Sequence, residues 1–124
     1  MNHTLLDTCI VIDYLRQKRQ AVSYIHALSA VPQLSGITVM ELYAGIRGQR
    51  ERRRIEAMIN HTLVLDITHD IGVKAGEYLK KYRASHGVGA IDALIAATAE
   101  SHGLNLVTLN LKHFPMFKDL ERPY

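Results

Sequence analysis

The chain alternates short apolar runs with stretches whose apolar residues recur at helical spacing. The first run, Leu5-Leu6, ends on Asp7-Thr8 and gives way at once to Ile10, Val11, Tyr14 and Leu15, before Lys18-Arg19-Gln20 break the pattern. That predicts a strand with Asp7 at its tip and a short helix over residues 9–17. A second helix is expected from about Ala21 to Ala30, where Ile25 and Leu28 point inward and Pro32 stops the turn. Leu34 to Thr38 reads as a buried strand handing over to a helix at Val39–Ala44, which Gly45 and Gly48 weaken. Arg50 to Met58 then predicts a basic helix with Ile55, Met58 and Ile59 as its apolar edge, and Leu63-Val64-Leu65 a third strand.

The second half repeats the alternation on a larger scale. Thr68 and Asp70 open a long amphipathic helix whose stripe is Ile71, Ala75, Tyr78, Leu79 and Tyr82, with Lys74, Glu77 and Lys81 on the solvated side. After the break at His86-Gly87-Val88-Gly89, the run Ala90–Ala99 is small and apolar, suited to close packing on a sheet, and Gly103 supplies a C-terminal cap. Leu104 to Thr108 predicts a fourth strand, Asn110 a turn, and the neighbourhood of Leu120 a last short strand. Strands alternating with helices predict an α/β fold, a three-layer α/β/α arrangement around a mostly parallel sheet of four to five strands.

Composition narrows the class without choosing a function. At 124 residues, 48% hydrophobic and 22% charged, residues 1–124 are expected to form one domain with a real core, and neither repeats nor low-complexity tracts interrupt them. The lone Cys9 excludes an internal disulfide, and no signal peptide or spanning helix is legible, so a cytoplasmic protein without membrane contact is expected. A net charge of +3 permits an anionic partner such as nucleic acid but does not demonstrate one.

The chemistry lies at the starts of helices. Asp7, Glu41, Asp92 and Asn110 each have an ordinary structural explanation. Asp7 is a natural N-cap, Thr38 and Glu41 have the spacing of a capping box, Asp92 sits in a first turn where the helix dipole favours it, and Asn110 suits a turn. In a parallel sheet, however, the helix starts share one edge, so groups that cap separate junctions also converge in space. Three carboxylates brought together repel, and a hard divalent cation relieves that repulsion most simply.

Leu-Leu-Asp7-Thr8, Thr38-x-x-Glu41-Leu, Ile91-Asp92-Ala-Leu-Ile-Ala-Ala-Thr and Leu-Val-Thr108-x-Asn110-x-Lys-His-Phe114, in this order, resemble the PIN-domain family, specifically its VapC-type toxin ribonucleases. The resemblance spans essentially the whole chain, and its specificity lies in the ordered set rather than in any one motif. It implies a metal-dependent endoribonuclease that hydrolyses RNA phosphodiester bonds as the toxin of a type II toxin–antitoxin pair. It implies Asp7, Glu41 and Asp92 as ligands of Mg2+, with Mn2+ as a substitute. Asn110 stands where the family often has a fourth acid, and Thr8 and Thr108 match positions beside the metal. The implied partners are an RNA substrate, a VapB-like antitoxin and a second copy of the chain in a homodimer.

Rival readings are a PIN-fold nuclease with a housekeeping RNA or DNA substrate and a catalytically inactive nucleic-acid-binding relative. A phosphatase module using Asp7 as nucleophile wants a second acid two residues on, where Cys9 stands instead. A phosphoacceptor receiver domain, for which Lys112 is a loose match, gives Glu41 and Asp92 no role. The arginines of the run Arg47, Arg50, Arg52, Arg53 and Arg54 are candidates for RNA phosphate contact, or simply a solvated face. The seven histidines show no paired ligand spacing and are expected mostly at the surface or in packing; Cys9 is expected as a small core residue.

Overall fold

Three residues of extended chain suffice to place the first carboxylate. The computed structural model describes residues 3–124. Strand β1 (Thr4–Leu6) is fully buried and passes through Asp7 into helix α1 (Thr8–Leu15). Helix α2 (Arg19–His26) follows, then β2 (Gln33–Ser35), α3 (Gly36–Ala44), α4 (Gln49–Asn60), β3 (Leu63–Leu65), α5 (His69–His86), α6 (Ala90–His102), β4 (Asn105–Val107) and a single 3-10 turn at Leu111–His113. The four strands lie in the order β3-β2-β1-β4, all neighbours parallel, with Leu5 opposite Leu106 and Leu6 opposite Val107.

Strand alternation divides the core into two sides. Leu6, Leu34 and Val107 point to one face, where Ile10 and Val11 of α1, Leu42 of α3 and Ile55 and Met58 of α4 cover them. Leu5 and Leu106 point to the other, against Ile95, Ala96 and Ala99 of α6 and the wholly buried Phe114. The alanines of α6 let it lie flat on the sheet and still receive α5 on its far side, where Ile71 and Ala75 meet Ala93 and Ala97. Both long helices end on left-handed glycines, Gly87 at φ 65° and Gly103 at φ 61°, a conformation that needs no Cβ.

Several expectations shift. The second strand is shorter than the run Leu34 to Thr38 suggested: Ser35 already caps α3, its Oγ accepting from the Ile37 N–H at 3.2 Å, so Gly36, Ile37 and Thr38 are helical. Thr38 is therefore not an N-cap, and the Thr38/Glu41 spacing forms no capping box. Ser35→Ala is expected to cost about 1 kcal/mol, the usual loss for a capping hydroxyl, read as a shift of the urea midpoint at constant slope. No strand forms near Leu120; that side chain packs on the Leu5 face while the chain runs irregularly between Pro115 and Pro123. Asp92 also departs from the strand-tip pattern, because α5 leads into α6 with no strand between them.

Candidate active site

Asp7 is tied to the last strand as well as the first helix. Its N–H donates to the Val107 carbonyl at 2.9 Å, continuing the β1–β4 ladder one residue past the strand. Its Oδ1 accepts the Thr8 N–H at 2.8 Å, which caps α1, and its Oδ2 accepts the Thr108 hydroxyl at 2.7 Å. Capping and a place in the site thus coexist in one side chain that is only 4% exposed. Thr108 in turn accepts the Asn110 N–H at 2.9 Å, so one hydroxyl orients the carboxylate and anchors the turn that follows β4.

Glu41 projects from α3 toward the start of α1. Thr8 Oγ1 lies 2.6 Å from Glu41 Oε1 and 3.0 Å from Thr38 Oγ1. A threonine hydroxyl carries one proton. The shorter contact to a carboxylate takes it, and Thr38 then serves as donor to Thr8. Each of two carboxylates is therefore fixed by a threonine from a different element, and among the described residues no buried side-chain polar atom lacks a partner.

Asp92 joins them from the first turn of α6. Burial first, and then the facing charges of Asp7 and Glu41, push its carboxyl above the ordinary carboxylate range, while His113 pulls it partway back. The His113 Nδ1 is 3.3 Å from Asp92 Oδ2. Asp7, Glu41 and Asp92 thus share one electrostatic neighbourhood, although among the described residues no three His, Cys, Asp or Glu side chains enclose a metal-sized space unaided. The donor set, three carboxylates, is of the hard oxygen type that divalent cations such as magnesium take. Asn110 is placed by its backbone, with its side chain exposed.

Three neighbours were not legible as site residues. Thr38 looked like a cap and is instead the buried partner of Thr8. Cys9 is half-buried with its Sγ 3.5 Å from Asp7 Oδ2; burial and the Asp7 charge push the thiol up to about 11, so it is a protonated donor rather than a nucleophile or simple core filler. His113 falls one turn beyond Asn110, and only the fold brings it to Asp92. The available signal was spacing: Thr38 precedes Glu41 by one helical turn, on the same side of α3.

The arginine run separates by environment. Arg52 pairs with Glu56 at 3.3 Å and stacks on Tyr43, Arg53 donates to the Gln49 carbonyl of its own helix, and Arg50 is exposed. Arg54 reaches across to donate to the Leu15 carbonyl and lines a groove that opens beside Glu41. Arg47 precedes α4 rather than belonging to it.

The chain's residues 4–119 match the family model described as PIN domain. Ribonuclease VapC19 of Mycobacterium tuberculosis is 37% identical over 124 residues, covering 97% of this chain and 98% of the relative. Ribonuclease VapC10 of the same organism is 37% identical over 123 residues, covering 97% and 92%. Among solved structures, a toxin–antitoxin complex from Klebsiella pneumoniae superposes with a TM-score of 0.83 at 29% identity over 98% of both chains. DNA-bound VapBC from Salmonella typhimurium follows at 0.75 and 29%, over 92% of this chain and 91% of that one. Sequence and fold agree over nearly the full length, and this chain belongs to the PIN domain family.

Proposed function

We propose that this chain is a metal-dependent endoribonuclease, the toxin of a type II toxin–antitoxin pair, held in check by a VapB-like antitoxin. The observation that carries the reading is the convergence of Asp7, Glu41 and Asp92 strongly enough that two of them raise the third's affinity for a proton. Relatives named as ribonucleases at 37% identity, and complexes of toxin with antitoxin among the similar folds, support the activity and the partner.

Asp7, Glu41 and Asp92 are the residues that would hold Mg2+, or Mn2+ in its place, with Asn110 at the margin contributing its carbonyl or a held water. When bound, such an ion neutralises charge on the phosphate and makes water a better nucleophile. The protein's own part is positional. Thr108 fixes Asp7 Oδ2 and Thr8 fixes Glu41 Oε1, so neither carboxylate turns away when the other is neutralised. His113, more than half exposed, lies 3.3 Å from Asp92 Oδ2 and holds that carboxylate from the solvent side.

The test is incubation of the purified protein with a panel of structured RNAs, with and without magnesium, followed by sequencing of product ends. Cleavage is expected to stop in chelator, to return with Mg2+ or Mn2+, and to leave 5′-phosphate and 3′-hydroxyl ends. Full activity in excess chelator, or a 2′,3′-cyclic phosphate, would assign the chemistry to histidine acid–base catalysis instead. Asn110→Asp is expected to keep activity and tighten metal binding by titration calorimetry, since it adds a negative charge beside a cation site; weaker binding would remove Asn110 from the site.

The homodimer is part of the same proposal. Met40 and Ile67 are 50% and 42% exposed and lie near one another, Ile67 being 4.0 Å from where a Gly36 Cβ would stand and Met40 one turn beyond Gly36. Met40→Glu is expected to yield a monomer in sedimentation, a dimer that persists counting against this face.

A further inference from the structure

The groove between α1, α3 and α4, about 460 Å³ in volume, carries chemistry that the acid cluster does not use. Leu15, Leu42 and Ile55 form an apolar floor, and Arg16, Arg47 and Arg54 line its rim. Glu41 stands at its wall, so the groove and the acid cluster share a residue. With Glu41 and Glu51 among three arginines, the lining keeps a net charge of +1. Among the described residues none of the three guanidinium groups lies within 4.0 Å of a carboxylate oxygen. Glu51 lines the groove and accepts from the Arg47 backbone N–H at 3.3 Å. Arg54 gives a hydrogen bond to a neutral carbonyl, which orients the side chain and leaves its charge free.

We propose that this groove seats one nucleotide flanking the scissile phosphate, its phosphate on Arg16, Arg47 and Arg54 and its base on the apolar floor. The inference rests on the ribonuclease reading above and deepens it. An RNA strand cut at the acids must leave them on some path, and Glu41 opens one directly into the groove. Guanidinium forks match phosphate oxygens in pairs, and an unstacked base needs an apolar or planar surface to replace its neighbours. An acidic, apolar peptide would also meet these walls; the groove's opening at Glu41, which a strand cut at the acids must reach, favours RNA.

The experiment compares Arg16→Gln/Arg47→Gln with a charge-matched pair on the exposed side of α5, Lys80→Gln/Arg83→Gln. Arg54 is left intact because it holds the Leu15 carbonyl. Binding of a labelled single-stranded RNA of about 12 nucleotides is followed by anisotropy in excess chelator over a salt series. The groove pair is expected to lose about tenfold in affinity and to flatten the salt slope by up to roughly 0.7, the value for the one phosphate it helps neutralise, while the α5 pair changes neither. A single abasic position moved along the RNA is expected to weaken binding at one place. An unchanged slope, equal effects from both pairs, or no preferred abasic position overturns the assignment. So does a groove pair that binds RNA normally but no longer holds the inhibitory partner protein, which would give the groove to a peptide. Since binding is read without cleavage, failure here is distinct from failure of the nuclease reading, which shows as RNA bound but never cut when magnesium is present.

Discussion

Asp92→Asn is expected to abolish cleavage, by roughly a thousandfold or more, and at the same time to raise the melting temperature of the metal-free protein. The two effects have one cause. Asp92 is half-buried and faces Asp7 and Glu41, so its folded-state carboxyl holds a proton more tightly than it does in the unfolded chain. A carboxyl raised in this way is destabilising when ionised: the cost is absent below its unfolded value near 3.9, grows as pH rises toward the folded value, and is fully present above it. Asparagine keeps the shape and removes the charge. A gain in melting temperature is expected in chelator at neutral pH, shrinking as the pH is lowered through the raised value and vanishing in acid. Calorimetry of both proteins from neutral to acid pH, alongside initial cleavage rates, checks both halves. A variant that melts lower at every pH would mean that Asp92 is structural rather than held under repulsion.

Phe114→Ala should be the most damaging single change to the fold. Phe114 is wholly buried against Leu5, Ile95, Ala96, Ala99 and Leu106, so it joins β1 and the edge strand β4 to the helix that carries Asp92. Truncating such a ring costs about 3–5 kcal/mol, a large part of the roughly 5–15 kcal/mol that keeps a domain folded. Because Phe114 directly follows the Leu111–His113 turn, its loss should also release Asn110 and His113. Urea unfolding measures the first effect. Comparison with Phe114→Leu, which retains much of the volume, separates packing from any need for an aromatic ring. A loss no greater than 1 kcal/mol in the alanine variant would count against this account.

Elements were legible where local pattern and tertiary demand agreed. The stripe of α5, the alanines of α6 and the glycine after each of them specify their helices without help from the rest of the chain. Asp7, Glu41 and Asp92 could be selected because each opens or borders a helix start, and helix starts share an edge. What failed depended on contacts distant in sequence. Thr38 has the spacing of a cap because i, i+3 is the same whether a threonine begins a helix or stands inside it; Ser35, three residues earlier at the end of β2, takes the cap and frees Thr38 for Thr8. His113 beside Asp92 and Cys9 beside Asp7 needed the sheet order, which periodicity does not contain. Leu120 was apolar enough for a strand but packs by its side chain alone.

The hydrogen bond from Thr108 to Asp7 joins residues 101 positions apart, and β1 lies in the sheet between β2 and β4. During synthesis, the first carboxylate leaves the ribosome long before the hydroxyl that orients it. Until β4 has emerged and docked, β1 has one open edge, Asp7 lacks its second support, and the turn bearing Asn110 does not exist. The acidic site is complete only once this last strand of the sheet has docked beside β1.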